Sequence, residues 1–124
     1  KNKTIAVLGL SFKPNTDDMR EAPSIAIVSE LIKKGASIVA YDPVAMENAK
    51  KVLPGAVAYA KSAYEAAGGA DAVVVLTEWN EFRQLDLVQL AKGLKTRILF
   101  DGRNIYEPLR VKELGFMYYG VGRM

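Results

Sequence analysis

Short, nearly unbroken runs of apolar residues alternate along this chain with longer stretches of helical spacing. The clearest run, residues 71–77, is dominated by Val. Such a β-branched run predicts a strand that is buried on both faces, as in a parallel sheet. Similar runs predict further strands at residues 4–9, 37–41, 57–59, 97–100 and 116–119, of which the short 57–59 strand is expected at a sheet edge.

Helical patterns lie between these strands. Pro23 suits the first position of a helix that continues to Lys34 and stops at Gly35. Further helices are predicted at residues 45–52, after Ser62, and at 81–85, 87–94 and 108–114. This alternation predicts an α/β fold of one domain over residues 1–124. We expect a Rossmann-like, doubly wound, mainly parallel sheet of about five to six strands with helices on both faces.

The segment after the first strand is the strongest candidate for a ligand site. It holds two cations, Lys13 and Arg20, and parallel sheets bind ligands beyond the carboxyl ends of their strands. Arg103 follows the strand at 97–100 and is expected at the same edge. Three converging cations suit a diphosphate, because Arg offers a planar fork of donors and Lys a mobile charge.

The residues alone leave a second interpretation open for this segment. Three acids, Asp17, Asp18 and Glu21, could pair with Lys13 and Arg20 and simply order the loop.

An NAD-binding interpretation is weaker, although Asp42 closes the second strand where an acid often holds a ribose hydroxyl. The Gly-rich turn is absent, since Leu10, Ser11 and Phe12 follow Gly9. We therefore interpret Asp42 as a turn and helix-entry residue.

Trp79 is interpreted as a cover for the sheet edge, together with Phe82. Of Tyr118 and Tyr119, one is expected to face the core and the other the surface, because neighbouring residues of a strand point to opposite faces.

Composition narrows the chemistry further. The chain of 124 residues has a net charge of +3 and contains neither Cys nor His. Thiol catalysis within this chain is therefore excluded, and the commonest general base and metal ligand is missing. We predict no catalytic residue and no metal site. Neither a basic stripe nor an apolar run of membrane-spanning length is present, so nucleic acid and membrane are not predicted partners. No signal peptide is expected at the start of the chain.

Three segments, read together, closely resemble one family. They are Gly-Leu-Ser-Phe-Lys-Pro-Asn-Thr-Asp-Asp-Met-Arg-Glu-Ala-Pro at 9–23, Thr-Glu-Trp at 77–79 and Phe-Asp-Gly-Arg-Asn at 100–104. The resemblance is to the C-terminal UDP-binding domain of the UDP-glucose/GDP-mannose dehydrogenase family, and the first segment is most similar to its UDP-glucose 6-dehydrogenase branch. It covers the whole chain.

The resemblance implies one domain of a larger oxidoreductase. Enzymes of this branch oxidise UDP-glucose to UDP-glucuronate in two NAD-dependent steps, using a catalytic Cys outside the region matched here. It implies that Phe12, Lys13 and Arg103 bind the UDP-sugar and that Arg20 faces the NAD end of the cleft. Asp17 and Asp18 receive no role beyond positioning these cations.

The same resemblance implies the partners of the domain. An N-terminal domain would hold most of the NAD, and the full-length enzyme would be a cytoplasmic homo-oligomer that supplies polysaccharide biosynthesis. The chain alone would bind substrate without turnover. The alternatives are a UDP-N-acetylmannosamine or GDP-mannose dehydrogenase, a stand-alone nucleotide-binding module and a minimal NAD-binding domain.

Overall fold

The computed structural model describes residues 3–11, 23–77 and 79–120. Strands and helices alternate as the sequence predicts. The strands are β1 (Thr4–Leu8), β2 (Ser37–Tyr41), β3 (Ala58–Tyr59), β4 (Ala72–Val75), β5 (Ile98–Asp101) and β6 (Met117–Gly120). The helices are α1 (Pro23–Lys33), α2 (Met46–Val52), α3 (Ala63–Ala67), α4 (Asn80–Arg83), α5 (Leu87–Gly93) and α6 (Pro108–Glu113).

All six strands of the described chain form one parallel sheet in the order β3-β2-β1-β4-β5-β6. From β1 the chain moves outward to β2 and β3, and from β4 it moves outward in the opposite direction. Strand order therefore reverses between β1 and β4, which are neighbours at the centre. The predicted doubly wound, Rossmann-like fold is confirmed, and β3 is an edge strand as expected.

The two faces of the sheet are covered by different helices. Helices α1 and α2 pack over β1 and β2 around Val7, Val28 and Ala49. The opposite face carries α3, α4, α5 and α6, with Phe82 and Leu99 in its core. Because right-handed crossovers that move in opposite directions place their helices on opposite faces, both faces acquire helices.

The last strand separates its two tyrosines as its two-residue period predicts. Tyr118 is 8% exposed in the core, whereas Tyr119 is 46% exposed. Tyr119 stacks on Phe100 of the neighbouring strand, with 4.9 Å between ring centroids.

The predicted helix ends and caps are largely correct. Gly35 adopts the left-handed conformation that ends α1, with φ of 96°. Ser62 caps α3 through its hydroxyl, which accepts from the Glu65 amide at 3.0 Å. Gly9 lies outside β1 rather than within it, because its φ of 93° takes the backbone out of the extended region.

Candidate functional site

The candidate site lies at the carboxyl ends of β1, β4 and β5. The segments that leave these strands begin at Gly9, Leu76 and Gly102. Two buried aspartates, Asp42 and Asp101, lie behind them, at 0% and 1% exposure. Buried carboxylates are rare unless their oxygens are satisfied, so the partners of these two residues explain how the edge is built.

Asp42 immediately follows β2 and accepts only backbone amides. Its Oδ2 accepts from Leu10 at 2.7 Å and from Ser11 at 3.3 Å, across the sheet. Its Oδ1 accepts from Val44 at 2.8 Å and from Ala45 at 2.7 Å. The second pair of bonds caps the entry to α2, which agrees with the predicted helix-entry role. The first pair ties the end of β2 to the segment after β1.

Two hydroxyls hold the carbonyls of the same two residues. The Ser24 hydroxyl, in the first turn of α1, donates to the Leu10 carbonyl at 2.6 Å. The Thr77 hydroxyl, beyond β4, donates to the Ser11 carbonyl at 2.8 Å. Ser24 and Thr77 are 1% and 0% exposed. Every backbone polar group of Leu10 and Ser11 is therefore bonded to a buried side chain.

Gly9 packs directly against Thr77 at the point where strand order reverses. A Cβ on Gly9 would lie 2.6 Å from the Thr77 Cβ and 2.7 Å from its amide nitrogen, so only glycine fits here. The crevice in which a dinucleotide pyrophosphate normally approaches the first turn is therefore closed at its base. The amides of Leu10 and Ser11 are also bonded to Asp42. In the described part of this turn, residues 9–11, the backbone amides are therefore all bonded within the protein and are not available to a pyrophosphate.

Arg103 lies on a turn that Asp101 organises. Asp101 Oδ1 accepts from the Arg103 amide at 3.2 Å. Its Oδ2 accepts from the Tyr106 amide at 2.9 Å and from the Tyr118 hydroxyl at 2.8 Å. The residue Arg103 itself is exposed. The fixed backbone thus presents a cation at the carboxyl edge of β5, where the sequence predicts it.

Gly102 brings this turn against the end of β4. Its amide donates to the Val75 carbonyl at 2.8 Å, and a Cβ on Gly102 would lie 2.8 Å from that same oxygen. The end of β4 is therefore flanked by two glycine turns, one from β1 and one from β5.

Aromatic residues cover the edge from the α4 side. Phe82 is fully buried and Trp79 is 8% exposed, which agrees with the interpretation of both as cover for the sheet.

Two tyrosine hydroxyls near this edge donate hydrogen bonds. The Tyr106 hydroxyl donates to the Phe82 carbonyl. Burial, followed by the negative charge of Asp101, raises the pKa of Tyr106. The Tyr41 hydroxyl donates to Glu81 at 2.7 Å, and burial followed by this bond raises the pKa of Tyr41. Both phenols therefore remain neutral donors at ordinary pH.

A family model covers most of this architecture. Residues 6–108 match the model of the UDP-glucose/GDP-mannose dehydrogenase family, UDP binding domain. The chain belongs to the UDP-glucose/GDP-mannose dehydrogenase family. The matched region contains the carboxyl edge described above from Gly9 to Tyr106, and only Tyr118 lies beyond it.

Relatives in sequence and structure agree with this membership. The chain is 52% identical over 123 residues to a UDP-glucose 6-dehydrogenase of Rhizobium meliloti, covering 99% of this chain and 28% of that protein. It is 52% identical over 121 residues to the UDP-glucose 6-dehydrogenase YwqF of Bacillus subtilis, covering 98% and 28%. A solved UDP-glucose dehydrogenase from Pyrobaculum islandicum superposes with a TM-score of 0.83 at 31% identity, covering 100% of this chain and 26% of that one. The chain thus spans little more than a quarter of these relatives.

The structure locates one of the four site residues that the resemblance implies for this family. Arg103 lies at the carboxyl edge. Phe12, Lys13 and Arg20 lie outside the described residues, as do the acids Asp17, Asp18 and Glu21.

Sequence reasoning missed the roles of Ser24, Thr77 and Tyr118. Ser24 directly precedes the apolar run 25–28 and Thr77 directly follows the apolar run 72–76, a pattern that could have suggested buried hydrogen bonding. Tyr118 offered no comparable signal.

The described parts of the chain contain neither a membrane-spanning helix nor a cluster of metal-binding side chains. Within them no helix is long and apolar enough to cross a membrane. The same ranges hold no cluster of three or more acidic, His or Cys side chains suited to a metal ion.

Proposed function

We propose that this chain is the UDP-binding part of an NAD-dependent UDP-glucose 6-dehydrogenase, which oxidises UDP-glucose to UDP-glucuronate in two steps. Family membership and 52% identity to two UDP-glucose 6-dehydrogenases support this function. The observation that carries it is that the turn at Leu10 and Ser11 has its backbone amides bonded to Asp42, while Arg103 is exposed at the same edge of the sheet. An edge built in this way neutralises a diphosphate with side-chain cations instead of backbone amides.

In this proposal residues 1–124 form a single C-terminal domain whose roles are binding and orientation. Lys13 and Arg103 neutralise the diphosphate, Phe12 holds the nucleotide sugar, and Arg20 faces the cofactor. The chain contains neither Cys nor His, so the oxidation itself takes place on residues of the remaining enzyme. That remaining part binds most of the NAD. The enzyme is a cytoplasmic homo-oligomer whose product enters polysaccharide biosynthesis.

Calorimetric titration of the chain with UDP tests the proposal. Replacing Lys13 or Arg103 by Ala removes one charge-assisted contact, which is expected to weaken binding by about 1.5–3 kcal/mol. The double variant Lys13→Ala/Arg103→Ala is expected to abolish detectable binding.

A matched control removes two positive charges elsewhere. Lys51 and Lys92 are exposed in the last turns of α2 and α5, which face the amino edge of the sheet. The variant Lys51→Ala/Lys92→Ala should bind UDP as the unmodified chain does. UDP binding that survives the Lys13 and Arg103 changes would refute the site. Saturable NADH binding at the same concentrations would instead support the minimal NAD-binding alternative.

A further inference from the structure

We propose that Thr77, Ser24 and Asp42 act as positioning residues for nucleotide binding, because they fix the two residues that lead directly into Phe12 and Lys13. This inference rests on the proposed function and adds to it three side chains that do not touch the ligand. All three are at most 1% exposed, so their influence on a ligand must pass through the backbone they hold.

The three side chains come from three different elements. Asp42 follows β2, Ser24 lies in the first turn of α1, and Thr77 follows β4. They hold the amides and carbonyls of Leu10 and Ser11 at distances from 2.6 to 3.3 Å. The backbone from which Phe12 continues is therefore fixed relative to β2, α1 and β4 at once.

The Ser24 hydroxyl also joins the start of α1 to the segment after β1. Ser24 lies directly after Pro23, the first residue of α1, and its hydroxyl reaches back to Leu10. This bond joins Leu10 and Ser24, which lie two positions outside either end of the segment 12–22. Bringing the two ends of a segment together is an entropic cost, and here it is met on folding, before any ligand arrives.

Thr77 is the most informative member to change, because its hydroxyl holds the residue adjacent to Phe12. Val has nearly the same shape as Thr but cannot donate to the Ser11 carbonyl. Thr77→Val is expected to raise the dissociation constant for UDP about 5- to 20-fold, which corresponds to the net contribution of about one hydrogen bond. Thr77→Ser keeps the hydroxyl and should bind within about twofold of the unmodified chain.

Matched controls separate positioning from general stability. Thr96 is exposed, and Thr96→Val makes the same chemical change away from the site. Ser24→Ala provides a second test if Thr77→Val does not fold, with the exposed Ser29→Ala of the same helix as its control. In the full-length enzyme, Thr77→Val should raise the KM for UDP-glucose and leave kcat within about twofold, since the reacting groups lie elsewhere.

The outcomes distinguish this inference from the proposed function. If Lys13→Ala weakens UDP binding while folded Thr77→Val and Ser24→Ala bind like the unmodified chain, the positioning role is wrong and the proposed function stands. If the unmodified chain and the full-length enzyme both fail to bind UDP, the proposed function fails and this inference fails with it. Weakened binding in Thr77→Val with recovery in Thr77→Ser supports the inference.

Discussion

Asp42 and Asp101 occupy equivalent places at the carboxyl ends of β2 and β5, and both are almost completely buried. Their partners differ. Asp42 accepts four backbone amides, two of which come from Leu10 and Ser11, more than thirty positions away in sequence. Asp101 accepts two amides of its own turn and one tyrosine hydroxyl.

The difference shows that a buried aspartate can stabilise the carboxyl edge of the sheet in two ways. Asp42 joins separate parts of the sheet and closes the first turn to a pyrophosphate. Asp101 folds its own turn and leaves Arg103 exposed. The first aspartate therefore occupies backbone donors at the carboxyl edge of the sheet, and the second holds the turn that carries the exposed Arg103 at the same edge.

Replacing each aspartate by asparagine is expected to have the largest effect on the free energy of unfolding, and the size of the loss should differ between Asp42 and Asp101. In Asp42→Asn the new NH₂ group must face two of the four amides, so we expect a loss of about 3–5 kcal/mol in the free energy of unfolding. In Asp101→Asn the carbonyl can still accept from Tyr106 and Tyr118. Only the Arg103 amide loses its partner, so the expected loss is about 1–2 kcal/mol.

Urea unfolding measures both losses. Asp86, the exposed N-cap of α5, is the control, because Asn caps helices as well as Asp and the change should be nearly neutral. Equal losses at Asp42 and Asp101 would contradict the distinction between them.

Alanine at the two turn glycines is expected to have the next largest effect. Gly9→Ala combines a left-handed φ with contact against Thr77, and we expect a loss of about 2–4 kcal/mol. In Gly102→Ala the new Cβ would lie too close to the Val75 carbonyl and in ordinary contact with Leu76, and a loss of about 1–3 kcal/mol is expected.

Gly69 is the control for these substitutions. Its φ is 79° but nothing lies near its missing Cβ, so Gly69→Ala should lose only about 1 kcal/mol. Thermal unfolding monitored by the single Trp gives the ranking. A Gly9→Ala variant as stable as Gly69→Ala would show that the β1 turn is not closed by Thr77.

The smallest expected effect concerns Tyr106 in the Asp101 turn. Tyr106→Phe loses the bond to the Phe82 carbonyl, at a cost of about 1 kcal/mol near neutral pH. The pKa of Tyr106 is raised in the fold, so its contribution is complete below the unfolded value of about 10 and declines as the pH rises above it.

Urea unfolding of both proteins between pH 8 and about pH 11 measures this contribution. The unmodified chain should lose stability above about pH 10 more steeply than Tyr106→Phe. Parallel curves for the two proteins would mean that Tyr106 ionises as easily in the fold as in the unfolded chain.

Local pattern was enough for most of the fold. The Val-rich run at β4, the Pro at the start of α1 and the glycine at its end each act through neighbours within a few residues, so their consequences can be read in order along the chain. The position of Arg103 after a buried strand likewise follows from the rule that ligands bind beyond the carboxyl ends of parallel strands.

What the sequence determined by itself was the alternation of elements, the parallel sheet and the edge at which Arg103 lies. Only the tertiary structure decided that Asp42 bonds to Leu10 and Ser11, that Thr77 holds the Ser11 carbonyl and that Gly9 fits against Thr77. The physical reason is that hydrogen bonds between residues 31, 32 or 66 positions apart require the sheet to place both partners within 3.3 Å. No local periodicity encodes that distance.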